Sequence, residues 1–341
     1  MPPQKSLRSV SDLIAAGLVP EASRADVEPV ATRYAIALTP EVAALALHEP
    51  AMAAQFVPSA HETTTLPEER ADPIGDAAHS PVKGIVHRYR DRVLLKLTHV
   101  CPVYCRFCFR REMVGPAGQG ALDGAELEAA IGYIAANPAI FEVIVTGGDP
   151  FILSARRIAE VTARIGRIPH VRALRWHTRV PMVQPGAVTP ALVKALRAPG
   201  LATYVAIHAN HPAEFTPAAC RAIAALADGG IALLSQTVLL NGVNAEVETL
   251  EALMRAFVAN RIKPYYLHHP DLAPGTAHFR LSFDAGLALM DGLCQRLSGI
   301  ALPRYVIDIP GGYGKVPVQE ARLIDGQWYV RDLAGRAHRY P

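Results

Sequence analysis

No apolar run in this 341-residue chain approaches the ~18 residues that a membrane-spanning helix requires. The first residues, Met1-Pro-Pro-Gln-Lys5-Ser-Leu-Arg8, lack the apolar stretch and small-residue cleavage site of a secretory signal. Excess charge is also missing, and a net charge of +3 gives no reason to expect a nucleic acid or a membrane surface as partner. Cysteine is sparse. Three of the five lie within eight residues and Cys220 and Cys294 stand alone, so no disulfide framework is encoded. These absences leave a soluble, cytoplasmic enzyme as the expected class, long enough to bury a sizeable core.

What is present begins with Cys101-Pro-Val-Tyr-Cys105-Arg-Phe-Cys108. Three thiolates at spacings of four and three can hold three irons of a [4Fe–4S] cube and leave the fourth iron open. An open position is what makes a metal site reactive. A zinc site needs a fourth Cys or His close by, and the nearest, His99, lies two residues before the first Cys. Pro102 and the polar neighbours argue against a buried apolar stripe. The C-x3-C-x2-C spacing resembles the signature of the radical S-adenosylmethionine (SAM) superfamily. There the open iron binds SAM, whose reduction releases a 5′-deoxyadenosyl radical.

Residues 1–85 read as a helical N-terminal region with patterns over Ser9–Ala16 and Thr39–Leu47. A polar, proline-containing connection follows from Pro58 to Pro81, with no chemistry evident in it. Residues 86–300 alternate apolar strand-like runs, at Arg92–Thr98, Phe141–Thr146, Arg172–His177, Ala202–His208, Ile231–Leu240 and Pro264–His268, with helical stretches. This rhythm predicts a parallel sheet with crossover helices, either doubly wound or an incomplete barrel. Residues 301–341 form a C-terminal segment with a hairpin turning at Asp325-Gly326. Polar candidates follow or end each strand: the Cys motif, Gly147-Gly148-Asp149, His177-Thr178-Arg179, His208, Gln236 and Asp271. Function gathers at the C-terminal ends of parallel strands in barrels and doubly wound sheets alike.

From His87 to Val318 the chain resembles the lysine 2,3-aminomutase family. The likeness rests on His87-Arg-Tyr-Arg-Asp-Arg92, the Cys motif with Arg110-Arg111 after it, Thr146-Gly-Gly-Asp-Pro150, Tyr265-Tyr266 with Asp271, and Asp308-x-Pro-Gly-Gly-x-Gly-Lys315. It implies an α/β fold, a partial (βα)6 TIM-like radical SAM barrel, with a [4Fe–4S] cluster on Cys101, Cys105 and Cys108, SAM, and pyridoxal 5′-phosphate (PLP).

PLP needs a lysine able to form a Schiff base, and lysine is scarce: six among 34 basic residues. Lys5 and Lys83 lie in the N-terminal region, Lys194 on a helix, Lys96 within the first strand, and Lys263 where the sixth strand begins. Lys315 follows glycines that permit positive φ and close backbone approach, and it matches the family's PLP lysine. Arg88, Tyr89 and Arg92 match cofactor-binding positions, where a guanidinium fork suits phosphate oxygens. Arg110 matches the arginine that holds the substrate carboxylate. Gly147, Gly148 and Asp149 resemble the superfamily's motif for the SAM amino group, and His208 and Gln236 fall at family positions near SAM. Asp271 and Asp308 match two carboxylates that grip a distal ammonium, which favours lysine over glutamate as substrate.

The implied reaction is 2,3-amino migration in L-lysine to give β-lysine, with an electron donor such as flavodoxin or ferredoxin. The short length resembles the branch whose β-lysine is attached to translation elongation factor P. The Asp308–Lys315 segment looks more like the branch that acts on free lysine. Two rivals are an aminomutase for another amino acid and a non-catalytic Fe–S protein that binds SAM or PLP. Long family members carry a C-terminal extension with zinc-binding cysteines. Cys220 and Cys294 supply no such site, so no zinc is expected, and homo-oligomerisation is left open. His268 stands where some lysine-specific members have tyrosine.

Overall fold

Segments such as Arg92–Thr98 and Glu142–Gly147 carry β-branched and aliphatic residues on both faces, so they are stable only with both faces covered. The computed structural model describes residues 5–115 and 120–341. Nine strands form one sheet in chain order. Strand β1 (Ile85–Tyr89) is antiparallel to β2 (Arg92–Thr98). Next come β3 (Glu142–Gly147), β4 (Ala173–Thr178), β5 (Ala202–His208), β6 (Ala232–Val238), β7 (Ile262–His268) and β8 (Arg304–Ile309). Each of these is parallel to the strand before it. Strand β9 (Gly314–Pro317) turns back antiparallel to β8. A doubly wound sheet reverses its strand order at a switch point; here the order never reverses. The sheet is therefore a barrel wall.

The two edges of that wall do not share a ladder, but they meet. The backbone N–H of Lys315 on β9 donates to Tyr89 Oη on β1 at 2.8 Å. The barrel is partial, as the sequence predicts, with one parallel strand more than the six expected. Strand β8 lies in the segment 301–341 that the sequence reading sets apart. Tyr305, Ile307 and Ile309 bury its outer face, so the expected boundary at residue 300 falls between two hydrogen-bonded strands of one sheet.

Helices cover the outside. Helix α5 (Gly124–Ala135) follows β2, α6 (Ala155–Gly166) follows β3, and short α7 (Val180–Val183) and α8 (Pro190–Ala195) follow β4. Helices α9 (Pro217–Asp228), α10 (Val247–Ala259) and α11 (Phe283–Arg296) follow β5, β6 and β7. (The four N-terminal helices are numbered first, α1 to α4.) On α6, Ile158, Val161, Thr162 and Ile165 are buried at helical spacing, and the Ser154 hydroxyl caps its first turn. Opposite them stand the outward positions of the wall, such as Val143, Val145, Leu174 and Trp176, all in the core. The alternate positions turn the other way: Lys96, Thr146, Arg175, His177, His208, Gln236, His268 and Asp308. The lumen is polar.

Helices α1 (Val10–Ala15), α2 (Arg24–Arg33), α3 (Pro40–Ala46) and α4 (Pro50–Phe56) form the N-terminal region. Strands β10 (Arg322–Ile324), β11 (Gln327–Arg331) and β12 (Ala337–Tyr340) make a separate antiparallel sheet. The predicted hairpin is there, with Asp325 and Gly326 at φ of 49° and 74°. Among the described residues no helix is long and apolar enough to cross a membrane.

Candidate functional site

The three cysteines lie on the loop after β2, half-buried and unpaired. Burial pushes all three thiols up, Cys105 to about 11. Nearby donors work against burial: the Asp149 and Arg110 backbones lower the Cys101 and Cys108 thiols, and the Arg179 guanidinium, 3.5 Å from Cys105 Sγ, lowers that one. Left alone such thiols stay protonated; a bound cation makes them thiolates. Among the described residues no three His, Cys, Asp or Glu side chains converge to hold a single metal ion.

The Gly-Gly-Asp motif departs from its expected role. A Cβ on Gly147 would stand 2.4 Å from Thr98 O, and one on Gly148 2.3 Å from Val100 O. Close approach is indeed what the glycines permit, but the approach is to the chain's own cysteine loop. Gly148 N donates to Thr98 O at 2.6 Å and locks the end of β3 under that loop. Asp149 is a strut as well. Its Oδ1 accepts from Thr178 Oγ1 at 2.7 Å and its Oδ2 from Arg179 N at 2.7 Å. Both oxygens thus accept hydrogen bonds inside the protein.

His208 Nε2 lies 3.2 Å from His177 Nδ1, and burial holds both imidazoles neutral, His208 down to about 3. Gln236 Oε1, His177 Nε2 and His268 Nε2 are buried without a partner. Buried polar atoms are normally paired, so these three lumen-facing atoms mark a place for a polar ligand.

Lys315 arrives where expected. Gly311, Gly312 and Gly314 have φ of 89°, 91° and 103°, a run that residues with a Cβ rarely adopt. The Lys315 ammonium sits on Asp308 Oδ2, lies 3.1 Å from His268 Nδ1 and faces the Tyr266 ring at 5.4 Å. Burial alone would raise the Asp308 carboxyl, but Lys315 outweighs it and holds it far below the usual range. Asp271 goes the other way, pushed up to about 8 by burial and then by the charge of Asp308. Burial and Lys315 push His268 down to about 4. Acid pair, imidazole and amine share one corner of the lumen.

The largest departure is Asp76, in the connection expected to carry no chemistry. It is 1% exposed and gathers three cations. Arg110 donates to its Oδ2 through Nε at 3.1 Å and Nη2 at 2.9 Å. Arg88 Nη2 lies 3.3 Å from it and Lys96 Nζ 3.9 Å. Arg88 also approaches Asp308 at 3.8 Å. Arg92 lies apart, at the start of β2, paired with Asp91 and stacked on the Tyr89 ring at 3.8 Å. Of the other lysines, only Lys96 reaches the lumen; Lys263 caps the carbonyls of Gly299, Ile300 and Leu302.

The description of the Radical SAM superfamily matches residues 95–254, from β2 into α10. An L-lysine 2,3-aminomutase from Fusobacterium nucleatum is 38% identical over 79% of this chain and 63% of its own length. One from Methanococcus maripaludis is 37% identical over 87% of this chain and 69% of its own. The chain belongs to the lysine 2,3-aminomutase family. The Escherichia coli member is 35% identical over 77% of this chain and 76% of its own length. The chain spans less than two thirds of some relatives, 63% of the Fusobacterium protein.

Membership of a radical SAM family implies a [4Fe–4S] cluster and SAM, and the residues fit both. Three soft donors stand on one loop, with the Arg179 guanidinium on the Cys105 sulfur, and three orphaned polar atoms face the lumen. Two buried networks tie the N-terminal region to this site. Glu62 accepts from Arg106 Nε at 3.0 Å and Nη2 at 2.6 Å, and from Arg111. Gln55 Oε1 accepts from Arg179 Nη2 at 2.6 Å and Asn210 Nδ2 at 3.0 Å. Neither Glu62, Gln55 nor Asp76 is visible in sequence, because a lone acid or amide has no periodic signal. Arg179 carries one clue, its place at the end of a parallel strand.

Proposed function

We propose that the protein is a radical SAM, PLP-dependent aminomutase that converts L-lysine to β-lysine. The observation that carries this reading is the corner at Asp308 and Asp271, where the Lys315 side chain already places an alkylammonium on an acid pair. Burying an ammonium is tolerable only with paired charge and good hydrogen bonds, and this corner supplies both. Arg110 supports the same reading from the opposite end of the substrate. Its Nε–Nη2 edge lies on Asp76, and Nη1 has no partner among the described residues, leaving it to meet a carboxylate. A diamino acid held between Arg110 and the acid pair is fixed at both ends.

When bound, the cluster with SAM supplies a hydrogen-abstracting radical, and PLP supplies the π system across which nitrogen migrates. The chain's own work is positioning and exclusion of water. Cys101, Cys105 and Cys108 would hold the cluster, and His208 and Gln236 would face SAM. Lys315 would anchor PLP, with Arg88 and Tyr89 beside it and Arg92 stacked behind Tyr89. His268 accepts a hydrogen bond from the Lys315 ammonium and so holds that amine in the lumen. Anaerobic turnover of the cluster-loaded protein with SAM, PLP, dithionite and L-lysine tests the reading, with β-lysine read by chromatography and mass. Deoxyadenosine without β-lysine would keep the radical chemistry and overturn lysine as substrate.

A further inference from the structure

Of the three cysteine sulfurs, Cys105 Sγ is the one with a side-chain hydrogen-bond donor among the described residues. Arg179 Nη1 lies 3.5 Å from Cys105 Sγ, and this arginine is 6% exposed. Apart from Nε, which is buried without a partner, the rest of it is held. Its backbone N–H donates to Asp149, and its Nη2 donates to Gln55 at 2.6 Å and Glu214 at 2.8 Å. The rings of Phe56 and Phe107 flank the guanidinium at 4.7 and 5.5 Å. Glu214 is held in turn by the backbone N–H groups of Asn210 and His211. With Nη2 held on Gln55 and Glu214, Nη1 is the nitrogen left to meet the sulfur.

We infer that Arg179 is a positioning residue that sets the reduction potential of the cluster by donating to Cys105 Sγ. The inference rests on the cluster reading of the three cysteines. Reduction adds one electron and one negative charge to the cluster and its thiolates. A donor at a ligating sulfur stabilises that charge and raises the potential. Glu214 offsets the guanidinium charge at longer range, so the pair acts as an oriented dipole with its positive end on sulfur. Asp149 then has a stated purpose, since it fixes the backbone from which the dipole projects. The step needs only a one-electron donor of low potential, for which dithionite serves in vitro.

The test uses the full chain with reconstituted cluster and no SAM, poised with dithionite and mediators, with the reduced cluster read by electron paramagnetic resonance. Iron and sulfide are counted first. The double variant Arg179→Met/Glu214→Gln removes the donor without changing net charge and leaves the Glu214 position able to accept from Asn210 and His211. Its reduced-to-oxidised ratio at the wild-type midpoint should fall about tenfold, which is 59 mV for one electron. Glu214→Gln alone leaves the cation unbalanced and should move the ratio the opposite way. A purely structural role moves neither potential. Wild-type potentials in both variants at full iron content would overturn the inference, as would loss of the cluster from both while the wild type retains it. If only the double variant loses its cluster, the direction of the Glu214→Gln shift decides. An iron-free wild type would instead overturn the cluster reading beneath it.

Discussion

Replacing Glu62 by Gln is the sharpest probe of how the N-terminal region holds the cysteine loop. Glu62 is 1% exposed, accepts from Arg106 and Arg111, and caps its own turn through Ser59 N at 2.9 Å. The amide keeps the shape and the cap but removes the charge, leaving two buried guanidiniums unbalanced. Breaking a buried pair in this way costs about 3–5 kcal/mol. At roughly 2 °C per kcal/mol for a domain of this size, the midpoint should fall by about 6–10 °C. Thermal unfolding of the cluster-free protein, followed by circular dichroism, measures it. The sign with pH is fixed as well. Burial would raise the Glu62 carboxyl, but Arg106 and Arg111 outweigh burial and hold it below its ordinary 4.5. A depressed folded-state value gives stability that is present above 4.5 and is lost as pH falls through the folded value. The gap between wild type and variant should therefore close in acid. Asp228→Asn, which breaks the exposed pair with Arg261, is the control and should cost about 0–1 kcal/mol. A Glu62→Gln loss no larger than that control would refute the reasoning.

Asp271→Asn should show the opposite pH trend in cofactor-free protein. The folded state holds a proton on Asp271 from its ordinary 3.8 up to about 8, so wild-type stability drains as pH rises through that window. The variant's relative stability should climb from pH 4 to pH 8 and then level, and a gap flat with pH would sink the assignment. Gly148→Ala drives a Cβ to within 2.3 Å of Val100 O and should lower iron content after reconstitution by most of its value, whereas exposed Gly186, with open space around it, should tolerate alanine. Borohydride reduction in the presence of PLP, followed by peptide mapping, should find the adduct on Lys315; an adduct on Lys96, the other lumen lysine, would reassign the anchor. Asp308→Asn should raise the KM for lysine at least a hundredfold, since 3 kcal/mol or more of pairing is lost, and an unchanged KM would remove that carboxylate from substrate binding.

The barrel was legible wherever strands are apolar on both faces and followed by capped helices. Six parallel strands lie within two residues of their expected ends. Strand β8 escaped because it has no crossover helix after it; a glycine turn leads straight into β9. Helix α2 escaped because Pro29 lies inside it and breaks the helical pattern. The cysteines and Lys315 were legible through spacing and flanking glycines. The structural part that Asp149 plays was not legible, because a Gly-Gly-Asp turn reads the same whether its carboxylate faces a ligand or a backbone N–H. Asp76 and Glu62 were illegible for a different reason. Their partners lie 34 and 44 residues further along the chain, and only the folded wall brings a loop acid against Arg110 or Arg106.

That wall also explains why a cation-binding corner can be both buried and exchangeable. Lys315 holds the Asp308 carboxyl ionised, with Arg88 3.8 Å away, and burial favours the neutral forms of Asp271 and His268. On the proposed reading Lys315 gives up its ammonium charge when it anchors PLP, and Asp308 is left with its partner gone. A substrate ammonium then replaces one alkylammonium by another of the same charge and nearly the same shape. No new charge has to be buried, and the desolvation that makes buried ions costly was met when the chain folded. The raised Asp271 proton follows from the same count, since one amine can balance only one of two adjacent acids. On the proposed reading the acid pair would bind by exchange, with Lys315 the cation it exchanges.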